Sequence, residues 1–220
     1  MTRSVVTGAN RGIGLELVRQ LAARGESVVA ACRETSPELS ALHVDVHENL
    51  DVSDERSVAE FVSRLGDEPV DMLINNAGVL TEEGLDSLDW GRIRHQFEVN
   101  SLGPLRVISA LLPCMAAAGK IGIVSSRVGS LQDNSSGGMY GYRISKAAAN
   151  MVGVNLAHDL KPRGIAVFLL HPGYVRTGMT HGQGHAEPEE AARGLLERMD
   201  TLTLADTGTF WHANGQPLPW

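Results

Sequence analysis

Short apolar runs rich in β-branched residues alternate with helical stretches along the whole chain, and that alternation leaves few folds open. The spacing predicts strands at residues 4–7, 27–31, within 41–50, and at 70–75, 121–125, 165–170 and 208–211. It predicts helices at 12–23, 54–65, 88–112, 142–160 and 188–199, the first with Ile13, Leu17 and Leu21 on one face. A strand such as Ile165-Ala166-Val167-Phe168-Leu169-Leu170 has no polar face to turn to water, so it must be covered on both sides. Strands of that kind joined by helices make a parallel sheet with right-handed crossovers. The expected fold class is therefore α/β, a doubly wound parallel sheet of Rossmann type with about seven strands and helices on both faces. No linker or repeat divides the 220 residues, so one domain is expected: residues 1–120 for dinucleotide binding and 121–220 for catalysis and substrate.

Charge narrows the partners. Nineteen Lys and Arg against 26 Asp and Glu give a formal charge of −7, which repels nucleic-acid backbones. The longest apolar stretch, residues 107–118, is broken by Ser109 and Pro113 and is too short to cross a membrane. Behind Met1 there is no basic leader with an apolar core, so the cytoplasm is the expected compartment. Cys32 and Cys114 have neither zinc-site nor disulfide-framework spacing, and His181 and His185 flank a flexible Gly182-Gln183-Gly184 loop, so no metal is expected.

The first strand runs into Thr7-Gly8-Ala9-Asn10-Arg11-Gly12-Ile13-Gly14, and a helix follows. Glycines there let backbone approach a pyrophosphate, and free N–H groups at the helix start attract its charge. Arg11 inside the turn and Arg33 after the second strand suit the 2′-phosphate of NADP, because guanidinium makes charge-assisted, often bidentate, phosphate contacts. Glu34 stands at the offset expected of a carboxylate that binds the ribose of NAD. NADP(H) is favoured, with NAD(H) as the alternative.

Tyr142-Arg143-Ile144-Ser145-Lys146 opens the longest helix. Residues four apart share a helix face, so the Lys146 ammonium lies near the Tyr142 phenol and is expected to lower its pKa toward neutrality. Such a phenol protonates an alkoxide, or deprotonates an alcohol in reverse. Tyr140, six residues before Lys146, points elsewhere. Ser125-Ser126 ends the preceding strand, where a hydroxyl can bond a substrate oxygen.

Taken together and in this order, Thr7-Gly8-x-x-x-Gly12-x-Gly14, Asn75-Asn76-Ala77-Gly78, Asn100, Ser126, Tyr142, Lys146 and Pro172-Gly173 resemble the short-chain dehydrogenase/reductases over essentially the whole chain. His171-Pro172-Gly173-Tyr174-Val175-Arg176-Thr177 and Gly215-Gln216-Pro217-Leu218-Pro219-Trp220 carry a closer likeness, to the branch of sniffer-type carbonyl reductases and C-factor-like signalling proteins. The resemblance implies that Tyr142 is the acid/base and that Lys146 tunes it and holds the nicotinamide ribose. Ser126 would orient the carbonyl, and Asn100 would hold a water of a proton relay. It further implies that Gly8, Asn10, Arg11, Gly12, Ile13, Gly14 and Arg33 hold the dinucleotide phosphates. Asp51 and Val52 would frame the adenine, Asn76, Ala77 and Gly78 would line its ribose, and Pro172, Gly173, Val175 and Thr177 would lie at the nicotinamide end. A homodimer or homotetramer is the implied assembly, and a small carbonyl or alcohol the implied substrate.

Two departures stand out. The family's serine commonly lies thirteen residues before the tyrosine, which here is Gly129; Ser126 lies sixteen before, with Ser125 and Ser130 as lesser alternatives. The segment between Thr177 and Pro188, where relatives carry a substrate lid, is short and rich in glycine and histidine. Two functions follow: a carbonyl reductase, or a dinucleotide-binding signalling protein that acts through a partner.

Overall fold

The computed structural model describes residues 1–220. Seven parallel strands form one sheet: β1 (Arg3–Thr7), β2 (Ser27–Ala31), β3 (Asp45–His47), β4 (Val70–Asn75), β5 (Met115–Val124), β6 (Ala166–His171) and β7 (Thr209–His212). Their order is β3-β2-β1-β4-β5-β6-β7. The order reverses between β1 and β4, so the connections leave those strands in opposite directions and a crevice opens at their carboxyl ends, where Thr7 pairs with Asn75.

Because the inner strands are buried on both sides, alternate residues feed two cores of nearly equal size, 22 and 21 buried residues. Val5, Leu73, Ile121 and Val167 meet Phe61 of α3 (Glu55–Arg64), Leu111 of α5 (Gly103–Leu111) and Leu160 of α6 (Tyr140–Leu160). Val6, Ile74, Phe168 and Leu170 meet Leu17 and Leu21 of α1 (Gly12–Ala23) and Leu195 and Met199 of α7 (Pro188–Thr201). Helices therefore cover both faces, as the strand composition requires. No helix is long and apolar enough to cross a membrane.

Departures from the predicted elements have local causes. The loop around Pro37 holds one helical turn, α2 (Pro37–Ser40), capped by the Ser36 hydroxyl. The helix expected over 88–112 is divided: α4 (Trp90–Phe97) and α5 are joined by a π-helical turn, Glu98–Leu102, that carries Asn100. α6 begins at Tyr140, two residues early, after three successive residues in the left-handed region, Gly137, Gly138 and Met139. β5 starts six residues early, with a register irregularity against β4 between Val70 and Met72.

Candidate active site

A groove of about 490 Å³ follows the crevice at the strand ends. Its floor is the turn between β1 and α1, which the chain can build only with glycine. A Cβ on Gly14 would stand 2.1 Å from the Gly8 carbonyl oxygen, and Gly8 itself has φ +67° with Ala77 Cα 2.8 Å from its missing Cβ. β4 locks this turn. Asn76 donates its amide to the carbonyls of Thr7 and Gly8, and the Thr7 hydroxyl accepts from the N–H of Asn76 and of Ala77. α1 has no side-chain N-cap and no acid in its first turn, so its positive end faces the groove uncompensated. Gly8, Asn10, Arg11, Gly12, Ile13 and Gly14 line this end, with Arg33 and Glu34 beside them. Arg11 and Arg33 are exposed and make no ion pair. Asp51 and Val52 line the next stretch. Burial pushes the Asp51 carboxyl up, but bonds from the Ser53 hydroxyl and amide, with Arg33 and His95 nearby, bring it below the usual carboxylate value.

At its far end the groove meets Gly78. A Cβ there would lie 3.2 Å from Asn100 Oδ1 and 3.8 Å from Lys146 Nζ, so a single glycine separates the groove from a cluster of buried polar side chains. Both amide hydrogens of Asn100 are engaged. Its oxygen accepts from Val79 N–H, and its amide donates to the Val79 carbonyl and the Ser145 hydroxyl. Ser145 in turn donates to the Tyr142 carbonyl, so the π turn and the first turn of α6 are tied together. Lys146 is 4% exposed; its Nζ donates to the Val124 carbonyl at 2.9 Å and lies 5.6 Å from the Tyr142 ring centre. Of the three candidate serines, Ser125 is bonded to Asn150 and Ser130 accepts from Asp133 N–H, while the Ser126 hydroxyl accepts from Val128 N–H and is the one close enough to the Tyr142 phenol to favour its ionised form. Gly129 could not carry the family's hydroxyl, because a Cβ there would sit 2.7 Å from the Lys146 carbonyl carbon.

The fold and the site together invite comparison with known proteins. A family model described as short chain dehydrogenase matches residues 3–188. The chain belongs to the short chain dehydrogenase family. The 1-hydroxy-2-glutathionyl-2-methyl-3-butene dehydrogenase of Rhodococcus sp. (strain AD45) is 46% identical over 226 residues, covering 100% of both chains. The C-signal of Myxococcus xanthus is 42% identical over 155 residues, covering 69% of this chain and 93% of that protein. Among solved structures, the carbonyl reductase Sniffer of D. melanogaster superimposes with a TM-score of 0.93 at 27% identity, covering 100% of both chains. The NADPH-bound carbonyl reductase from chicken fatty liver gives 0.92 at 30% identity, over 100% of this chain and 99% of that one. The chain is thus an oxidoreductase of this family, similar to its sniffer-type carbonyl reductases and to the C-signal.

Within this short chain dehydrogenase the expected phenol pKa needs correction. Burial pushes Tyr142 up to about 12, and only the Ser126 hydroxyl pulls against it. Burial also lowers Lys146 to about 8, and its amine is held by the Val124 carbonyl rather than set against the phenol oxygen. Proximity along a helix does not lower a pKa when both groups are desolvated by the same packing. Pro172, Gly173 and Val175 flank the groove without lining it, whereas Thr177 lines it together with Gly178 and Met179. The segment that carries them folds back on itself: Arg176 N–H donates to Ala186 and His185 N–H to Tyr174. Sequence reasoning missed His95 and Val99, which line the groove one helical turn apart, and Leu50 opposite. Cys32 lines the groove beside Arg33 and Glu34, its thiol pushed up to about 11 by burial and then by Glu48.

Proposed function

We propose that this protein is an NADP(H)-dependent carbonyl reductase acting on small carbonyl/alcohol pairs through Asn100, Ser126, Tyr142 and Lys146, as a cytoplasmic homodimer or homotetramer. The observation that carries the reading is the junction at Gly78, where a glycine-built phosphate cradle runs directly into the buried Tyr142–Lys146–Ser126 cluster. The groove suits a dinucleotide: its floor is built on Gly8, Gly12 and Gly14, a helix N-terminus is uncapped, and Arg11 and Arg33 are unpaired at the end where a 2′-phosphate would lie. A nicotinamide dinucleotide bound there supplies the hydride. Most of the cradle comes from residues 1–120, with Thr177 added from the second half, and Ser126, Tyr142 and Lys146 come from 121–220 while Asn100 comes from the first.

Tyr142 holds the proton that neutralises the developing alkoxide; with its phenol at about 12 it is protonated at neutral pH and ready to donate. The Ser126 hydroxyl orients the substrate oxygen beside it. Lys146, held near pH 8 by burial and bonded to the Val124 carbonyl, would be the residue to hold the nicotinamide ribose and, as the ammonium, would draw the phenol pKa down. The Asn100–Ser145 ties fix the turn that carries both.

Initial rates of NADPH and NADH oxidation against aldehydes, diketones, quinones and a glutathionyl carbonyl compound test the reading. NADPH is expected to be preferred, and Tyr142→Phe to lower turnover by about two to four orders of magnitude. Full turnover by Tyr142→Phe would refute it. The 42% identity to the C-signal supports a second reading, a dinucleotide-binding signalling protein. That role would survive Tyr142→Phe.

A further inference from the structure

Glu83, in the loop that follows β4, is a carboxylate only 2% exposed that makes no ion pair. Both groups that bond it are neutral: the Thr81 hydroxyl donates to Oε1 at 2.5 Å, and the Gln96 amide donates to Oε2 at 3.0 Å. Gln96 is fully buried on α4, and its own oxygen accepts from Thr81 N–H, so it grips the loop at two points. Four residues further on, Asn100 holds the same loop at the Val79 main chain. Burial of a carboxylate without a cation is unfavourable unless hydrogen bonds or a dipole meet its charge.

The start of α6 supplies that partner. Its first turn has no side-chain cap and no acid of its own, and a 21-residue helix presents partial positive charge at this end. Glu83 lies directly against the turn: Tyr140 N–H donates to the Glu83 carbonyl, and a Cβ on Gly141 would stand 3.0 Å from Glu83 Oε2 and 3.1 Å from Ile93 Cα. Only a residue without a side chain lets α6 come this close to α4, and the next residue is Tyr142. We propose that Glu83 and Gln96 are positioning residues: their shared hydrogen bond seats the first turn of α6 on α4 and so sets where the Tyr142 phenol stands. This rests on the reductase reading, in which Tyr142 gives the proton, and adds what holds it in place. Neither residue lines the dinucleotide groove, so the effect falls on the proton-transfer step and not on cofactor binding.

The test compares Glu83→Ala, Glu83→Gln and Thr81→Val in the full chain. It reads kcat, the KM for NADPH and the solvent isotope effect on kcat, with the carbonyl compound that wild type reduces fastest. Hydrogen exchange of the peptide spanning residues 139–146 is followed alongside. Glu83→Ala is expected to lower kcat by about tenfold to a hundredfold, the scale of a small misplacement of a catalytic group. Its KM for NADPH should stay near wild type, its solvent isotope effect should rise, and the 139–146 amides should exchange faster. Glu83→Gln can keep both hydrogen bonds and is expected to restore most of kcat. If Glu83→Ala fails to fold, Thr81→Val, which removes one donor to the carboxylate, carries the test with a smaller fall in kcat and the same rise in isotope effect. Unchanged kcat and isotope effect in the variants overturn the inference and leave the reductase standing. Glu83→Gln as impaired as Glu83→Ala also overturns it, because the charge rather than the bonds would then matter. Absence of turnover in wild type, with exchange faster in Glu83→Ala but not in Glu83→Gln, refutes the reductase and supports the seating of Tyr142. Absence of both effects overturns the two together.

Discussion

Replacing Lys146 with methionine should abolish turnover and yet stabilise the protein at neutral pH. The lysine is 4% exposed, and burial holds its amine at about 8 against an ordinary 10.5. Below pH 8 the ammonium is charged in both folded and unfolded states, and the folded state bears the full desolvation cost. Between 8 and 10.5 the unfolded chain keeps a proton that the folded protein has released, so stability rises with pH across that window. A shift of this size corresponds to about 3 kcal/mol at about 1.4 kcal/mol per unit. Methionine, of similar length, removes that cost and leaves the Val124 carbonyl without its donor, which costs about 1 kcal/mol at every pH. The variant should therefore be more stable than wild type by about 2 kcal/mol at pH 7, and the difference should vanish and reverse by pH 10.5. Tyr142, raised to about 12, loses stability only above pH 10 and does so alike in both proteins. Urea unfolding of wild type and Lys146→Met at pH 7, 8, 9 and 10 reads this directly. Two stability curves running parallel from pH 8 to 10 would refute the reasoning, because the desolvated ammonium would then not be the source of the difference.

Arg11→Ala and Arg33→Ala should each raise the KM for NADPH by about tenfold, with little change for NADH, as expected for loss of a charge-assisted phosphate contact; steady-state titration of both cofactors checks it. Gly14→Ala places a Cβ against the Gly8 carbonyl and should abolish dinucleotide binding measured by fluorescence titration, while the far-ultraviolet spectrum stays native. Gly129→Ser, which installs a hydroxyl at the family's usual offset, should destabilise by about 1–3 kcal/mol in urea unfolding. It should also fail to rescue Ser126→Ala, because its Cβ collides with the Lys146 backbone.

How much of this was legible in the sequence depends on whether the cause is local. Doubly buried strands must be apolar throughout, so β1, β2, β4 and β6 could be placed to within about one residue, and parallel pairing followed from the helices between them. The cradle was equally readable, since only glycine tolerates the approach of Gly14 to Gly8, and an i, i+4 spacing brings Tyr142 and Lys146 to one face whatever surrounds them. The π turn at Glu98–Leu102 left no such mark. What accompanies it is Asn100 satisfying the backbone of Val79, twenty-one residues away, and periodicity carries no information about that partner.

The same division separates geometry from protonation at the reacting centre. Helix spacing fixes how far the amine lies from the phenol, but the solvent excluded by β5, the Arg127–Gly129 turn and the π turn fixes which of them is charged. In this packing the phenol is held protonated and the amine is brought close to neutrality, with the Val124 carbonyl as its resting partner. The lysine can then move to a new anionic or hydroxyl partner by giving up one hydrogen bond, without breaking an ion pair. A paired ammonium–phenolate would have left Tyr142 itself without the proton that an incoming carbonyl is to receive. On the proposed reading, burial of both groups would poise the resting centre for reduction, with Tyr142 giving its proton and regaining it from solvent afterwards.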